Sequence, residues 1–177
     1  SVEEVKSELD YIFFLSEHHA NVSTPIRSKN NEFVEKIIVN DDDYFMVAVF
    51  KKAKGQHLRR KMAKPVHYIN LGKTIGQFHK LSKTYIPSKN VVKRMNWDKD
   101  PLITNAEKYM RKEDTIILIR LREVMNAINS VDPSSESFGI MHGDVHFGNF
   151  FVDGEHISVF DFDDVMYFYF ASDIAIC

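Results

Sequence analysis

The feature that most constrains the fold is a pair of short apolar runs separated by an Asp-Gly dipeptide near the end of the chain. Phe150–Val152 precedes the dipeptide at 153–154, and a second apolar run follows at 156–160. This arrangement predicts a tight antiparallel β-hairpin. In such a hairpin, the residue that enters the first strand lies beside the residue that leaves the second strand. Asn149 and Asp161 hold these two positions.

The polar side chains at the mouth of this hairpin are of the types that bind a magnesium ion. An amide oxygen and a carboxylate are hard ligands, suited to a Mg²⁺ ion that keeps some waters and binds phosphate oxygens. Asp144 lies in the loop that leads into the hairpin, residues 142–149, which we call the polar loop. A carboxylate close to a metal-bound phosphate can orient a hydroxyl group and accept its proton. The pattern therefore favours a magnesium site with a reactive carboxylate beside it.

The remaining patterns predict a protein that mixes helices and strands. Apolar residues at helical spacing indicate an amphipathic helix over residues 1–19. Two runs rich in β-branched and aromatic residues, Phe33–Val39 and Tyr44–Phe50, predict a hairpin because an Asn/Asp-rich segment joins them. Helical spacing returns after Pro65, in a helix that also carries a core histidine, His79.

Two further helices are expected in the second half of the chain. Residues 101–112 have helical spacing, and residues 114–130 combine it with a wide apolar face. Between the first hairpin and the helix after Pro65, the segment Lys51–Gly55 is polar and ends at a glycine, which is typical of a linker. The length of the chain allows either one domain or two small lobes, and this linker is the candidate boundary between two lobes.

Composition excludes several classes of function. With 23 Lys and Arg against 25 Asp and Glu, the net charge of −2 leaves no basic surplus for non-specific nucleic-acid binding. No apolar run approaches the roughly 18 to 20 residues of a membrane span. Cys177 is the only cysteine, which excludes an intrachain disulfide and is typical of the reducing cytoplasm. We expect a cytoplasmic protein without a nucleic-acid or membrane partner.

The sequence resembles the aminoglycoside phosphotransferase and choline kinase superfamily in two motifs, His142-Gly143-Asp144-x-His146-x-x-Asn149 and Phe160-Asp161-Phe162-Asp163. The resemblance implies an α+β, protein-kinase-like fold. Residues 1–55 would be a partial small β lobe with a helix, a hairpin and a hinge, and residues 56–177 a mainly helical catalytic lobe. It also implies transfer of the γ-phosphoryl group from ATP and Mg²⁺ to a hydroxyl group of a small molecule. Superfamily members use different acceptors, so the acceptor is not identified.

The resemblance further implies roles for residues around the polar loop. Asp144 would be the catalytic aspartate that positions the acceptor hydroxyl. Asn149 and Asp161 would be the Mg²⁺ ligands. His142 would brace the polar loop, and Asp173 would be a buried aspartate that ties this loop down by hydrogen bonds.

The ATP-binding residues implied by the resemblance lie in the first third of the chain. Glu8 matches the helix glutamate that pairs with the ATP-binding lysine. Phe50 would line the adenine slot, and the backbones of Lys51 and Ala53 would hydrogen-bond the base. The superfamily places its phosphate loop and lysine strand before the first helix, and neither is present in this sequence.

These departures leave an alternative function open. The superfamily also continues into further helices beyond the segment that contains Asp173, so the sequence is expected to be a truncated piece of a longer protein. The alternative is a catalytically inactive kinase-like fragment or a binding module. Asp163 and Asp164 also have two interpretations. Asp163 could reach the metal through water and Asp164 could face a cationic acceptor, or both could be solvated turn residues.

Two other interpretations of the polar loop are less favoured. Residues 143–146, Gly-Asp-Val-His, resemble the opening of a calcineurin-like phosphoesterase site. That site would need further Gly-Asp and Gly-Asn-His elements downstream, which this sequence lacks. His146 could be a metal ligand, but no cysteine lies near and the loop is not a helix face. A hydrogen-bonding role for His146 is therefore the better prediction.

Overall fold

The computed structural model describes residues 1–177 and contains six α-helices and nine β-strands. The helices are Val2–Glu17 (α1), Pro65–Ser82 (α2), Pro101–Thr104 (α3), Ala106–Tyr109 (α4), Thr115–Asn129 (α5) and Ala171–Ile176 (α6). The strands are Pro25–Ile26 (β1), Glu35–Ile38 (β2), Tyr44–Val47 (β3), Val49–Phe50 (β4), Gln56–His57 (β5), Phe138–Met141 (β6), Phe150–Asp153 (β7), His156–Val159 (β8) and Met166–Tyr169 (β9). No helix is both long enough and apolar enough to span a bilayer.

The first hairpin forms as the sequence predicts, but its second run is divided. β2 and β3 pair antiparallel, with Ile38 opposite Tyr44. The last two residues of the run form β4 instead, which pairs antiparallel with β1. The Lys51 backbone N–H extends this pairing by donating to the Thr24 carbonyl at 2.8 Å. Pairing with β1 fixes the backbone at the start of the predicted linker.

The hairpin near the end of the chain has the predicted register. β7 and β8 pair antiparallel, with Phe150 opposite Val159 and Asp153 opposite His156. The tip residue Gly154 has a φ of +62°, a conformation that glycine adopts at little cost. β5 adds a third strand along β7, and β6 pairs separately with β9.

The hydrophobic core joins α1, α2 and this hairpin. Sixteen buried residues form one cluster, to which α1 contributes Leu9, Tyr11, Ile12 and Leu15. The same cluster contains Phe162 and Val165, which flank two exposed acidic residues of the loop that follows β8. Apolar side chains therefore anchor this loop, residues 161–165, which we call the acidic loop.

The helices between residues 101 and 130 depart from the prediction in two ways. The helix expected over 101–112 is divided at Asn105 into α3 and α4. α5 has nearly the predicted extent, but none of its residues is buried. Its apolar residues Ile116, Ile117 and Val124 are exposed because no other element of the structure covers them.

Candidate active site

Asn149 and Asp161 lie side by side at the mouth of the β7–β8 hairpin. The backbone N–H of Phe160 donates to the Asn149 carbonyl at 3.0 Å, which places Asp161 next to the start of β7. The buried Asn149 side chain donates from Nδ2 to both the backbone carbonyl and Oδ2 of Asp144, each at 3.0 Å. Asn149 Oδ1 has no protein donor and is free to accept a ligand. The structure therefore brings the three predicted residues together.

Asp161 has a left-handed backbone. Its φ of +68° is uncommon for residues other than glycine, although Asp and Asn tolerate it better than most. The next residue, Phe162, is 1% exposed and belongs to the core. The centroid of its ring lies 4.4 Å from that of the His142 ring. Phe162 thus anchors the acidic loop while the Asp161 carboxylate stays accessible. An unfavourable backbone conformation at such a position is typical of a functional residue.

His142 connects the polar loop to the strand that ends before Asp161. Its Nδ1 accepts a hydrogen bond from the Asp144 backbone N–H at 3.2 Å, so the ring proton resides on Nε2. Nε2 then donates to the Phe160 carbonyl at 3.1 Å. Burial lowers the pKa of His142, which keeps the ring neutral in this arrangement. These contacts are those expected of a bracing residue.

Asp173 holds the polar loop from the opposite side. Its carboxylate is fully buried and accepts from the Gly143 backbone N–H at 2.9 Å. The other carboxylate oxygen lies 2.9 Å from Nε2 of His79 on α2. The His79 ring is also stacked on Phe170, with 4.5 Å between centroids. His79 is therefore a core histidine, as the sequence predicts, and it also links α2 to the polar loop.

Burial, followed by repulsion between carboxylates, raises the pKa values of Asp161, Asp164 and Glu8. The pKa of Asp161 is raised by partial burial and by the carboxylates of Asp163 and Asp144. Burial followed by the carboxylates of Asp163 and Asp144 also raises the pKa of Asp164. Burial raises the pKa of Glu8 to about 7, and Asp163 and Asp161 add to the effect. A cluster of mutually repelling carboxylates is an environment that a cation would stabilise.

The donor set fits magnesium better than a transition metal. No group of three or more His, Cys, Asp and Glu residues converges on a metal position. His146 acts as a hydrogen-bonding residue, because its Nδ1 accepts from the Gly148 backbone N–H at 2.9 Å. Its Nε2 lies 3.6 Å from Asp144 Oδ2. One amide oxygen and one carboxylate suit a Mg²⁺ ion that retains several waters.

A cavity of about 400 Å³ lies beside the hairpin mouth, and we call it the aromatic cavity. Its volume falls within the ordinary range for small-molecule sites. The predicted residues that line it are Glu8, Phe50, Lys51, Ala53 and Asp161. Asp161 therefore belongs to both the cavity and the hairpin mouth, whereas Asp144, Asn149, Asp163 and Asp164 do not line the cavity.

The hinge backbone leaves specific groups available in this cavity. The Lys51 N–H is already bonded to Thr24, so only the Lys51 carbonyl remains for a ligand. The Ala53 N–H has no partner within the protein. A free carbonyl and a free N–H close together in sequence can bind the edge of a heterocyclic base.

Sequence reasoning did not assign Phe151, Phe160 or Phe162 to this cavity, although all three line it. Phe151 and Phe160 form an edge-to-face pair with 4.9 Å between centroids. Alternation along β7 buries Phe150 and turns Phe151 to the other face of the strand. The period of the strand was the signal that could have identified Phe151.

The comparisons with known proteins identify the family. A family model described as a phosphotransferase enzyme family matches residues 1–177. The chain belongs to the phosphotransferase enzyme family. A curated member, the amicoumacin kinase of Bacillus subtilis (strain 168), is 30% identical over 169 residues, which are 96% of this chain and 50% of that protein.

Solved structures related to this phosphotransferase-family chain confirm the predicted α+β, kinase-like fold. The structure of amicoumacin kinase hAmiN in complex with AMP-PNP, Ca²⁺ and Ami has a TM-score of 0.93 and 30% identity, covering 99% of this chain and 52% of that chain. A microcompartment-associated aminopropanol kinase has a TM-score of 0.78 and 19% identity, covering 99% of this chain and 58% of that one. A spectinomycin phosphotransferase in complex with ADP and spectinomycin has a TM-score of 0.60 and 15% identity, covering 97% of this chain and 56% of that one. The chain thus spans about half the length of these relatives.

Proposed function

We propose that this chain forms the catalytic part of an ATP- and Mg²⁺-dependent phosphotransferase that acts on a hydroxyl group of a small molecule. The observation that carries the proposal is that Asp144, Asn149 and Asp161 meet at the hairpin mouth, where Asn149 is hydrogen-bonded to Asp144 and to the Phe160 backbone beside Asp161. Membership of the family and a relative that is an amicoumacin kinase support it. This kinship favours a catalytic role over an inactive binding module.

Asn149 and Asp161 would hold the magnesium ion. Asn149 donates both of its Nδ2 hydrogen bonds to Asp144, so its Oδ1 faces outward as a ligand. The Asp161 carboxylate supplies the negative charge. A bound Mg²⁺ would supply positive charge that offsets the negative charge of the phosphates during transfer.

Asp144 would orient the acceptor hydroxyl and accept its proton. Its Oδ2 is occupied by Asn149 Nδ2, and the His146 ring lies on the same side. Oδ1 is therefore the oxygen available to the acceptor. The backbone of Asp144 is fixed through His142, which limits the positions that the carboxylate can take. A group held in this way can contribute about 10² to 10⁴ in rate as a general base.

The aromatic cavity would bind the nucleotide. The rings of Phe50, Phe151 and Phe160 provide apolar surface for adenine. The Lys51 carbonyl can accept from the exocyclic amine of the base, and the Ala53 N–H can donate to a ring nitrogen. Glu8 lies in the same cavity, and we propose that it pairs with a cation of the ATP site.

The acceptor would be an alcohol that carries an amine. Asp163 and Asp164 are exposed carboxylates in the acidic loop, and the backbone of Asp164 packs against Gly143 in the polar loop. Negative charge beside the catalytic aspartate favours a cationic acceptor. Candidate acceptors for a first panel are amicoumacin, aminopropanol and spectinomycin, each assayed by phosphate transfer from labelled ATP.

The decisive experiment replaces Asp144 in the full gene product. Asp144→Ala should lower the rate of transfer by a factor of about 10² to 10⁴, with nearly unchanged affinity for AMP-PNP, because this side chain acts on the acceptor. Asp153→Ala, at the exposed hairpin tip, is the matched control and should retain full activity. Equal losses of nucleotide affinity and transfer in Asp144→Ala would contradict the proposed role.

A further inference from the structure

Arg94 lies in the irregular segment between α2 and α3, and its guanidinium group bridges three parts of the molecule. Nε donates to the Val165 carbonyl at 2.6 Å and Nη2 donates to the Asp163 carbonyl at 2.5 Å. Nη1 donates to the Glu4 carbonyl of α1 at 3.3 Å. No other protein group donates to the Asp163 or Val165 carbonyl. Arg94 is therefore the single donor to these two backbone carbonyls, while the buried side chains of Phe162 and Val165 anchor the loop in the core.

The backbone around Arg94 is anchored independently of these contacts. The Met95 carbonyl accepts from the Tyr167 N–H at 2.9 Å, which joins the segment to β9. The ring of Trp97 is stacked on Phe168 with 4.8 Å between centroids. This anchoring presents the guanidinium group to the acidic loop in a fixed position. A planar guanidinium group on an anchored backbone can determine the positions of the two carbonyls that it binds.

We propose that Arg94 is a positioning residue for the metal site, which it supports by holding the acidic loop in the conformation that directs Asp161 towards the cation. Asp161 has an unfavourable left-handed backbone, so its geometry depends on the contacts that surround it. Buried Phe162 and Val165 anchor the loop through their side chains. Arg94 holds its backbone through the carbonyls of Asp163 and Val165. The inference rests on the proposed function, since it assigns Asp161 to the metal.

A role for Arg94 through its charge and a role through its geometry predict opposite changes in cation affinity when Arg94 is replaced. Its positive charge opposes the raised pKa of Glu8, so the group lies close enough to act on that carboxylate, which lines the aromatic cavity together with Asp161. If Arg94 acted by charge alone, its removal would make the site more negative and would tighten cation binding. If it acts by holding the loop, its removal weakens cation binding. The Lys variant separates these effects because it retains the charge and loses the fork.

The test measures Mn²⁺ bound to the full gene product with AMP-PNP, by electron paramagnetic resonance titration. Residues that orient metal ligands typically contribute 10- to 100-fold to affinity. We expect Arg94→Gln and Arg94→Lys each to weaken Mn²⁺ binding about 10-fold or more. In activity assays, the same variants should need more Mg²⁺ for half-maximal rate and recover much of their rate at saturating Mg²⁺. Lys93→Gln is the matched control, since Lys93 contacts the Tyr167 ring and not the acidic loop.

The possible outcomes are distinct. Wild-type Mn²⁺ affinity in Arg94→Lys, or tighter binding in Arg94→Gln, would overturn the inference. Asp161→Asn tests the proposed function itself and should weaken Mn²⁺ binding more than either Arg94 variant. If Asp161→Asn binds Mn²⁺ like the wild type, the proposed metal site is wrong. If the Arg94 variants bind Mn²⁺ like the wild type while Asp161→Asn binds it more weakly, the proposed function stands and the role of Arg94 is rejected.

Discussion

The strongest stability prediction concerns Asp173, whose carboxylate makes two buried contacts. One oxygen accepts from the Gly143 N–H and the other from Nε2 of His79, both at 2.9 Å. Asp173→Ala leaves both donors without their acceptor and opens a small gap under the polar loop. Asp173→Asn keeps an amide oxygen that can accept from Gly143, but its NH₂ group faces His79.

The expected losses follow from these contacts. Hydrogen bonds to a charged group contribute about 1.5 to 3 kcal/mol each, and the Asp173 carboxylate accepts two of them. We therefore expect Asp173→Ala to lower the free energy of unfolding by about 3 to 5 kcal/mol. Asp173→Asn should lose about 1 to 3 kcal/mol, since one of the two hydrogen bonds survives. The larger loss is a substantial part of the 5 to 15 kcal/mol typical of folded proteins.

Urea unfolding followed by fluorescence gives the measurement directly. The single tryptophan, Trp97, is 7% exposed and reports on unfolding. Ile174→Ala is the matched control on the same helix α6, because Ile174 is 68% exposed and should change stability by less than about 0.5 kcal/mol. A loss below about 1 kcal/mol in Asp173→Ala, or one equal to that of the control, would refute the reasoning.

Two further predictions concern pH and backbone geometry. The raised pKa of Glu8, about 7, means that the folded metal-free protein loses stability as pH rises from about 5 to about 8, because the unfolded state releases this proton more readily. Glu8→Gln cannot release this proton and should lose less stability over the same pH rise. After allowance for solvent screening, paired urea titrations should show its free energy of unfolding increasing relative to that of the wild type by about 1 to 2 kcal/mol from the lower to the higher pH. Gly143→Ala should lose about 2 kcal/mol or more in thermal unfolding, because φ is +88° and the new Cβ would lie 2.5 Å from the Asp164 carbonyl oxygen. Gly154→Ala, also at positive φ but with open space around it, should lose less, and equal losses would contradict the steric argument.

Local sequence signals were sufficient for the elements that carry the site. The Asp-Gly turn and the two-residue period of a strand fix the register of β7 and β8, and this register alone places Asn149 next to Asp161. Helical periodicity likewise identified α1 and its buried face. These features depend on residues close together in the chain, which is why the sequence could predict them.

The features that the sequence did not predict depend on contacts between distant segments. The two-residue strands β1 and β4 pair across an intervening hairpin, and neither has enough residues to show a period. Arg94 lies in an irregular segment, and its carbonyl partners are about 70 positions away in sequence. The apolar face of α5 was correctly located, but sequence could not show that it would be exposed.

The left-handed backbone of Asp161 has a consequence for laboratory evolution. A glycine at this position would relieve a conformational cost of about 1 kcal/mol and remove the carboxylate at the same time. Under the proposed role of Asp161, selection for heat resistance alone would therefore enrich a more stable variant that lacks a metal ligand. Libraries built on this protein need a screen for turnover in every round, or position 161 must be held constant.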